Sequence, residues 1–299
     1  MSYIFGVDLG GTTVKIGLFR EGELIEKFEI PTRVENGGEA ILPDIGKAVL
    51  ASMDRQGIEK SRVKGIGIGV PGPVDPQGVV NCCVNLNWGV FNLHEVLSAE
   101  TGLPVVGGND ANCAALGEYH CFGGEGSAIF VTLGTGVGGG IIVDGKLLGG
   151  AHGSAGELGH ITVPAEENLP CTCGKRGCIE CYASATGIAR MAKSRMGRDL
   201  TCKDVFDLAQ AGDTAAVDVL ETVFDLLGEA IASACCIIDP DRVILGGGVS
   251  KAGEYLRKGV EKYFEIHKFH ACAGTEICLS RLGNDAGMYG AMHLAMERL

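Results

Sequence analysis

No apolar run in the chain reaches the roughly 18 residues a bilayer-spanning helix needs. The opening residues, MSYIFGVDLGG, lack both the basic stretch and the small-residue cleavage site of a secretory leader. No membrane is therefore expected as a partner, and the protein is expected in the cytoplasm. Positive charge is short as well: 25 basic residues stand against 37 acidic ones, a net charge of −12. A surface of that sign repels a phosphate backbone, which argues against nucleic acid as a partner. A disulfide framework is also excluded, because the 13 cysteines are odd in number, spread along the chain and expected to stay reduced in the cytosol.

What the sequence has in excess is glycine. It supplies 48 of 299 residues, about one in six where roughly 7% is usual. The glycines cluster at turns between apolar runs, where backbone bends sharply or approaches a ligand closely. With 46% hydrophobic residues, the chain is long enough for two lobes with cores of their own.

YIFGVDLGGTTVKIGLFREGELIEKFEI reads as three strands joined by tight turns: one ending at Asp8, one from Val14 to Phe19 and one after Glu21-Gly22. ILPDIGKAVLASMDRQG is helical, VKGIGIGVPG a buried strand, NLHEVLSAETG helical, and LPVVGGNDANCAALGEYHCF strand, turn and helix. The pattern then repeats. VDLGGTTVKIGLFREGEL from Val7 and VTLGTGVGGGIIVDGKL from Val131 align as strand, Gly/Thr turn, strand, acidic-Gly turn, strand. Internal duplication is a topology signal, and it predicts two α/β lobes with a cleft between them. Downstream, VFDLLGEAIASACCIIDPDRVILGGGVS predicts a buried helix, a strand from Arg242 to Leu245 and a triple-glycine turn into another helix. A last helix, Asp285 to Leu299, is expected to return to the first lobe.

GTGVGG, Gly134 to Gly139, matches the dinucleotide pattern G-x-G-x-x-G, but a strand follows where that motif requires a helix. It reads as a hairpin turn instead. Gly10-Gly11-Thr12-Thr13 and Gly134-Thr135-Gly136 can grip a polyphosphate with backbone N–H groups and hydroxyls. One such loop alone would be an ordinary turn; the pair reverses that preference. Asp8, beside the first loop, is placed either to hold magnesium against phosphate oxygens or to cap a turn. Asn109 and Asp110 lie at the carboxyl end of a strand, where chemistry collects in open α/β sheets. An aspartate at a helix start is, however, more often an N-cap.

Ser154 and Glu157 fit the S-x-x-E capping box, and in a helix Glu157 and His160 would share a face. Cys171, Cys173 and Cys178 gather three thiolates on one short loop, and a fourth ligand would complete tetrahedral zinc. Cys181 and His160 compete for that place, with spacing slightly in favour of Cys181. A redox pair of Cys178 and Cys181 lacks the helix start it needs.

Taken together, DLGGTTVKIGLF, GIGIGVPGPVD, NLNW, NDANCAALGE, TLGTGVGGGII, GELGH and CTCGKRGCIE resemble, in order, the ROK family of sugar kinases and repressors, and within it the bacterial glucokinases. The resemblance implies a two-lobed actin-like ATPase (ribonuclease H-like) fold, with an N-terminal lobe of 1–115 plus the helix 286–299, and a C-terminal lobe of 116–285. It implies ATP-dependent phosphorylation of a hexose, glucose at its 6-hydroxyl, with N-acetylmannosamine or N-acetylglucosamine as the family's other substrates. Asp110 becomes the general base, and Asn109, Glu157, His160 and Glu180 become sugar ligands. Asp8 with Gly10, Gly11, Thr12, Thr13, Gly134, Thr135, Gly136, Val137, Gly138, Gly139 and Gly247 becomes the site for ATP and its Mg²⁺. His160, Cys171, Cys173 and Cys178 become ligands of a structural Zn²⁺, and a homodimer is the expected assembly. The family's repressors add a DNA-binding domain ahead of the first lobe, whereas here the first strand begins at Tyr3 and no basic helix-turn-helix is visible. Two departures from the family pattern, Gly107-Gly108 before the Asn-Asp pair and Cys82-Cys83-Val84 before NLNW, touch the choice of sugar more than the reaction.

Overall fold

The computed structural model describes residues 2–299 apart from Cys82, Val84 and Asn85. The departure at Cys82 and Val84 and the first residue of NLNW therefore lie outside the described residues. The chain forms two compact units, one of Met1–Gly123, Gly149–Ala155 and Asn284–Leu299, the other of Gly124–Leu148 and Gly156–Gly283.

The first unit contains β1 (Tyr3–Leu9), β2 (Thr13–Arg20), β3 (Glu23–Pro31), α1 (Ile41–Gln56), β4 (Val63–Val70), β5 (Val79–Val80), β6 (Phe91–Asn92), α2 (Leu93–Thr101), β7 (Val105–Asn109) and α3 (Asp110–Cys121). Its main sheet runs β3-β2-β1-β4-β7. The first two pairings are antiparallel and the last two parallel. Burial follows from that order. β1 buries four successive residues, Ile4 to Val7, and β4 six, Gly65 to Val70, as strands covered on both faces should. At the edge, β3 alternates exposed and half-buried residues. α1 buries Ile41, Ile45, Val49 and Met53, one helical stripe, and ends at Gly57 with φ +63°. The C-terminal helix, Ala286–Arg298, packs back onto this unit, where a Cβ on Gly290 would lie 1.6 Å from the carbonyl oxygen of Cys113. No side chain fits between those two backbones.

The second unit contains β8 (Ala128–Leu133), β9 (Val137–Val143), β10 (Lys146–Leu147), α4 (Glu180–Ala183), α5 (Ala185–Met196), α6 (Cys202–Gln210), α7 (Thr214–Ile238), β11 (Arg242–Gly246), α8 (Glu254–His267) and β12 (Glu276–Leu279). Its sheet runs β10-β9-β8-β11-β12, the same topological order as the first. The duplication extends to the turns: Glu21-Gly22 and Asp144-Gly145 both have positive φ at both residues, the backbone that matches strand twist in a tight hairpin. Two copies of this mixed sheet bear out the two α/β lobes that the repeat predicts and make the actin-like, ribonuclease H-like architecture that the family resemblance implies. α7 starts with the Asp213 side chain accepting from Ala216 N–H, and buries Leu220, Phe224, Leu227 and Ile231 in the core. Among the described residues, no helix is long and apolar enough to cross a membrane.

In one place the glycines act differently from the expectation. The triple-glycine turn does not enter a helix directly; a 3₁₀ turn, Gly248–Ala252, intervenes between positive-φ Gly247 and Gly253, and α8 begins only at Glu254.

Candidate active site and metal centre

In the first unit, the parallel strands bring their carboxyl ends together in register. Asp8 pairs with Gly69 and Gly69 with Gly108, so that row of the sheet leads from Asp8 to the residue before Asn109. Asn109 is the N-cap of α3, its side-chain oxygen accepting from Asn112 N–H at 3.1 Å. Asp110 is the first residue of the helix rather than its cap, and one of its carboxylate oxygens accepts from Ala111 N–H at 2.8 Å. The capping role anticipated for Asp110 thus falls to its neighbour. Gly107 and Gly108 also acquire a reason: a Cβ on either would press on Leu93 or Leu294, at 2.7 and 3.0 Å.

Asp8 caps no turn. It lies inside β1 opposite Lys15 of β2, with its carboxylate 3.6 Å from the Lys15 ammonium. Burial pushes its carboxyl above the usual range, against the pull of Lys15 and with a smaller push from Asp285. Lys15 carries no signal in the sequence, because only the cross-strand register brings it to Asp8. The adjoining loop is held by Gly10 N–H donating to Thr13 carbonyl at 3.1 Å and by the Thr32 hydroxyl donating to Gly10 carbonyl at 2.8 Å, while Gly11 and Thr12 are exposed at its tip.

In the second unit, Gly134-Thr135-Gly136 forms the corresponding hairpin turn, closed by Gly134 N–H to Gly136 carbonyl at 2.9 Å, and β9 comes directly after it. Val137, Gly138 and Gly139 are the first residues of β9. Gly247 stands over the end of β8, where a Cβ would lie 2.5 Å from Leu133 carbonyl oxygen. Glu180 opens α4, and one of its oxygens accepts from Val137 N–H at 3.0 Å. Gly136 leaves room for that carboxylate, since a Cβ there would come within 2.4 Å of it.

GELGH is not helical. Gly156 has φ +86°, and the chain then enters a 3₁₀ turn, Leu158–His160, preceded by Glu157 with no side-chain cap. Ser154 instead donates to the carbonyl of His152 at 3.5 Å, so the expected capping box is absent. The turn is pressed onto β9: a Cβ on Gly159 would lie 2.0 Å from Val137 carbonyl oxygen.

One ligand atom from each of His160, Cys171, Cys173 and Cys178 lies within 4.8 Å of the others. The separations suit a tetrahedral ion. Zinc–sulfur bonds of about 2.3 Å give a sulfur–sulfur edge of about 3.8 Å, and Cys173 Sγ and Cys178 Sγ are 3.7 Å apart. Cys171 Sγ is 3.7 Å from His160 Nδ1. Cys181 lies outside this group, its Sγ 3.5 Å from Pro170 carbonyl oxygen, so the competition left open by spacing goes to His160. Burial would raise the Cys171 thiol, but hydrogen bonds from Cys173, Cys178 and His160 bring it down to about 7. Burial and its thiol neighbours push Cys178 up to about 12. Thiols so close together cannot all ionise unaided, and a cation at their centre is what would hold three thiolates together. Lys175 Nζ, to which spacing does not point, donates to His160 carbonyl at 2.8 Å and ties the two segments.

Comparison with known proteins gives a ROK family match over residues 4–298. A glucokinase of Halalkalibacterium halodurans is 43% identical, the alignment covering 98% of this chain and 94% of that one. The ROK hexokinase of Thermus thermophilus is similar in structure, with a TM-score of 0.84 and 33% identity over 99% of this chain and 98% of that one. A ROK family glucokinase of Streptomyces griseus, solved with glucose and AMPPNP, gives a TM-score of 0.78 and 33% identity over 99% of this chain and all (100%) of that one.

Proposed function

Since the chain belongs to the ROK family along nearly its whole length, we propose how its own residues divide the work of an ATP-dependent hexose kinase. The reaction is transfer of the γ-phosphoryl group of ATP to the 6-hydroxyl of glucose, that of a glucokinase. The observation that carries the mechanism is the division of labour at the end of β7: Asn109 caps α3, and Asp110 stands beside it at the helix N-terminus.

Asp110 accepts the proton of the 6-hydroxyl as that oxygen attacks phosphorus, and the positive end of the α3 dipole favours its ionised form. Asn109, Glu157, His160 and Glu180 hold the sugar's other hydroxyls. Backbone N–H groups and hydroxyls of Gly10–Thr13 and Gly134–Gly139, with Gly247, hold the phosphates. Magnesium arrives with ATP, and Asp8 is the carboxylate we assign to it.

His160, Cys171, Cys173 and Cys178 suit zinc in donor type and spacing. Zinc would supply the charge that keeps the thiolates together, in a closed four-ligand site with no open position for substrate. With His160 Nδ1 turned to Cys171, its Nε2 is the nitrogen left to meet a sugar hydroxyl. A cytoplasmic setting is carried into the proposal from the sequence reading. A homodimer is carried into the proposal from the family resemblance.

A coupled assay with Mg·ATP over a panel of hexoses tests the reading. Glucose should give the highest kcat/KM. A higher value for N-acetylmannosamine would overturn glucose as the substrate and leave a ROK kinase of another specificity.

A further inference from the structure

The second unit holds a solvent-open cavity of about 440 Å³ that none of the residues assigned to sugar, ATP or metal lines. Its walls are the segment ahead of Cys171, together with Tyr182 of α4, α5, α7 and one residue of α8. The charged groups around it are unevenly paired. Glu221 accepts from Lys262 at 2.5 Å and from the Tyr263 hydroxyl at 2.6 Å, and Asp225 is 2.6 Å from His267 Nε2. Glu166 and Glu167 are exposed to solvent. Arg190 and Arg195 have neutral partners: Arg190 donates to the carbonyl of Cys181, and Arg195 to the Thr222 hydroxyl at 2.6 Å. Among the described residues, neither makes an ion pair with a carboxylate.

Two guanidiniums lining one cavity match a doubly charged oxyanion, since each presents several N–H donors in a planar fork. A carboxylate would bring only one charge. The volume is that of a small-molecule site, and the hydroxyls of Ser194 and Thr222 offer partners to a hydroxylated skeleton. We propose that this cavity binds a phosphate monoester on a small hydroxylated skeleton, the chemistry of a sugar phosphate, at a place apart from the catalytic residues.

The cavity wall is continuous with the backbone that carries Cys171 and Glu180. The Tyr182 hydroxyl accepts from Leu169 N–H at 3.1 Å and donates to Glu167 carbonyl, which fixes the approach to Cys171. Arg190 holds the carbonyl of Cys181, the residue after Glu180. An anion drawing on Arg190 competes with that carbonyl, so occupancy shifts the position of Glu180. This coupling rests on the reading of Glu180 as a sugar ligand; the binding site itself does not.

The experiment is equilibrium dialysis of the purified protein with labelled glucose 6-phosphate, in saturating glucose and AMPPNP so that the catalytic residues are occupied. The expected result is one equivalent bound, weakened roughly tenfold or more in Arg195→Gln, as for loss of a charge-assisted contact. The label should be displaced by inorganic phosphate and not by gluconate. No binding by the wild type, or undiminished binding by Arg195→Gln, would overturn the site, and displacement by gluconate as readily as by phosphate would overturn the ligand class. Coupling is read separately: glucose and glucose 6-phosphate should change each other's Kd by one common factor. Independent affinities would overturn the coupling. The hexose panel decides the substrate without touching the dialysis result.

Discussion

The Glu180 carboxylate accepts a hydrogen bond from the backbone N–H of Val137 at 3.0 Å, linking the cysteine loop to the strand that leaves the second Gly/Thr turn. The same side chain has its other oxygen 3.9 Å from Cys171 Sγ. One residue thus touches both the cysteine loop and the strand that leaves the loop proposed to hold phosphate.

Gly136→Ala, in the loop proposed to hold phosphate, tests that link while leaving the Glu180 side chain itself in the protein. The new methyl would sit 2.4 Å from the Glu180 oxygen and force the carboxylate off Val137. A hydrogen bond to a charged group is worth roughly 1.5–3 kcal/mol, so kcat/KM should fall by about ten- to a hundred-fold. Steady-state kinetics with glucose and with ATP varied in turn check this; near wild-type kinetics for both would show that the two loops work independently.

Asp110→Asn should leave the fold intact, because Asn109 and not Asp110 caps α3. The substitution keeps the shape and removes the proton acceptor, so kcat should drop by roughly a hundred-fold or more, while glucose affinity largely persists. Asn109→Ala should instead cost about 1 kcal/mol of stability through the lost cap and weaken glucose binding. Measuring kcat, glucose affinity and Tm for both variants separates the roles, and an Asp110→Asn enzyme of normal rate removes Asp110 from the mechanism.

Purified protein should contain about one zinc per chain. Cys178→Ala should lose it, and sugar affinity with it, whereas Cys181→Ala should retain the metal because its Sγ, 3.5 Å from Pro170 carbonyl oxygen, is not one of the four clustered ligand atoms. Metal analysis of the two variants checks the assignment; the opposite pattern would make Cys181 the fourth ligand.

The duplicated hairpins are legible in the sequence because turn chemistry is local: an acidic residue and a glycine must both take positive φ, and both copies carry that pair. The three cysteines are legible for the same reason. The fourth member of the cluster is not, because spacing measures only how readily a loop closes. Cys181 is near in sequence but is committed to α4, with its thiol turned to Pro170, whereas His160 arrives through a 3₁₀ turn pressed against β9. S-x-x-E misleads because a pattern carries no dihedral angles, and Gly156 at φ +86° stops a helix from passing through it. Lys15 beside Asp8, and the cavity on α5 and α7, depend on register and tertiary packing, which no local pattern encodes.

In the first unit, the rings of His120 on α3 and His293 on the C-terminal helix stack at 3.7 Å between centroids. Burial first, and the neighbouring His120 second, bring His293 from 6.5 down to about 4. Folding therefore disfavours the protonated ring. The unfolded chain binds the proton below pH 6.5 while the native state refuses it until about pH 4. Stability carried by this group is complete above pH 6.5 and declines as pH falls through that window. At pH 5 the loss is about 2 kcal/mol from this residue alone. His293→Gln, neutral throughout, should shrink the difference in unfolding free energy between pH 7.5 and pH 5 by about that amount. Urea denaturation of wild type and variant at the two pH values gives the comparison. An equal acid loss in both proteins would mean that His293 does not resist protonation in the native state.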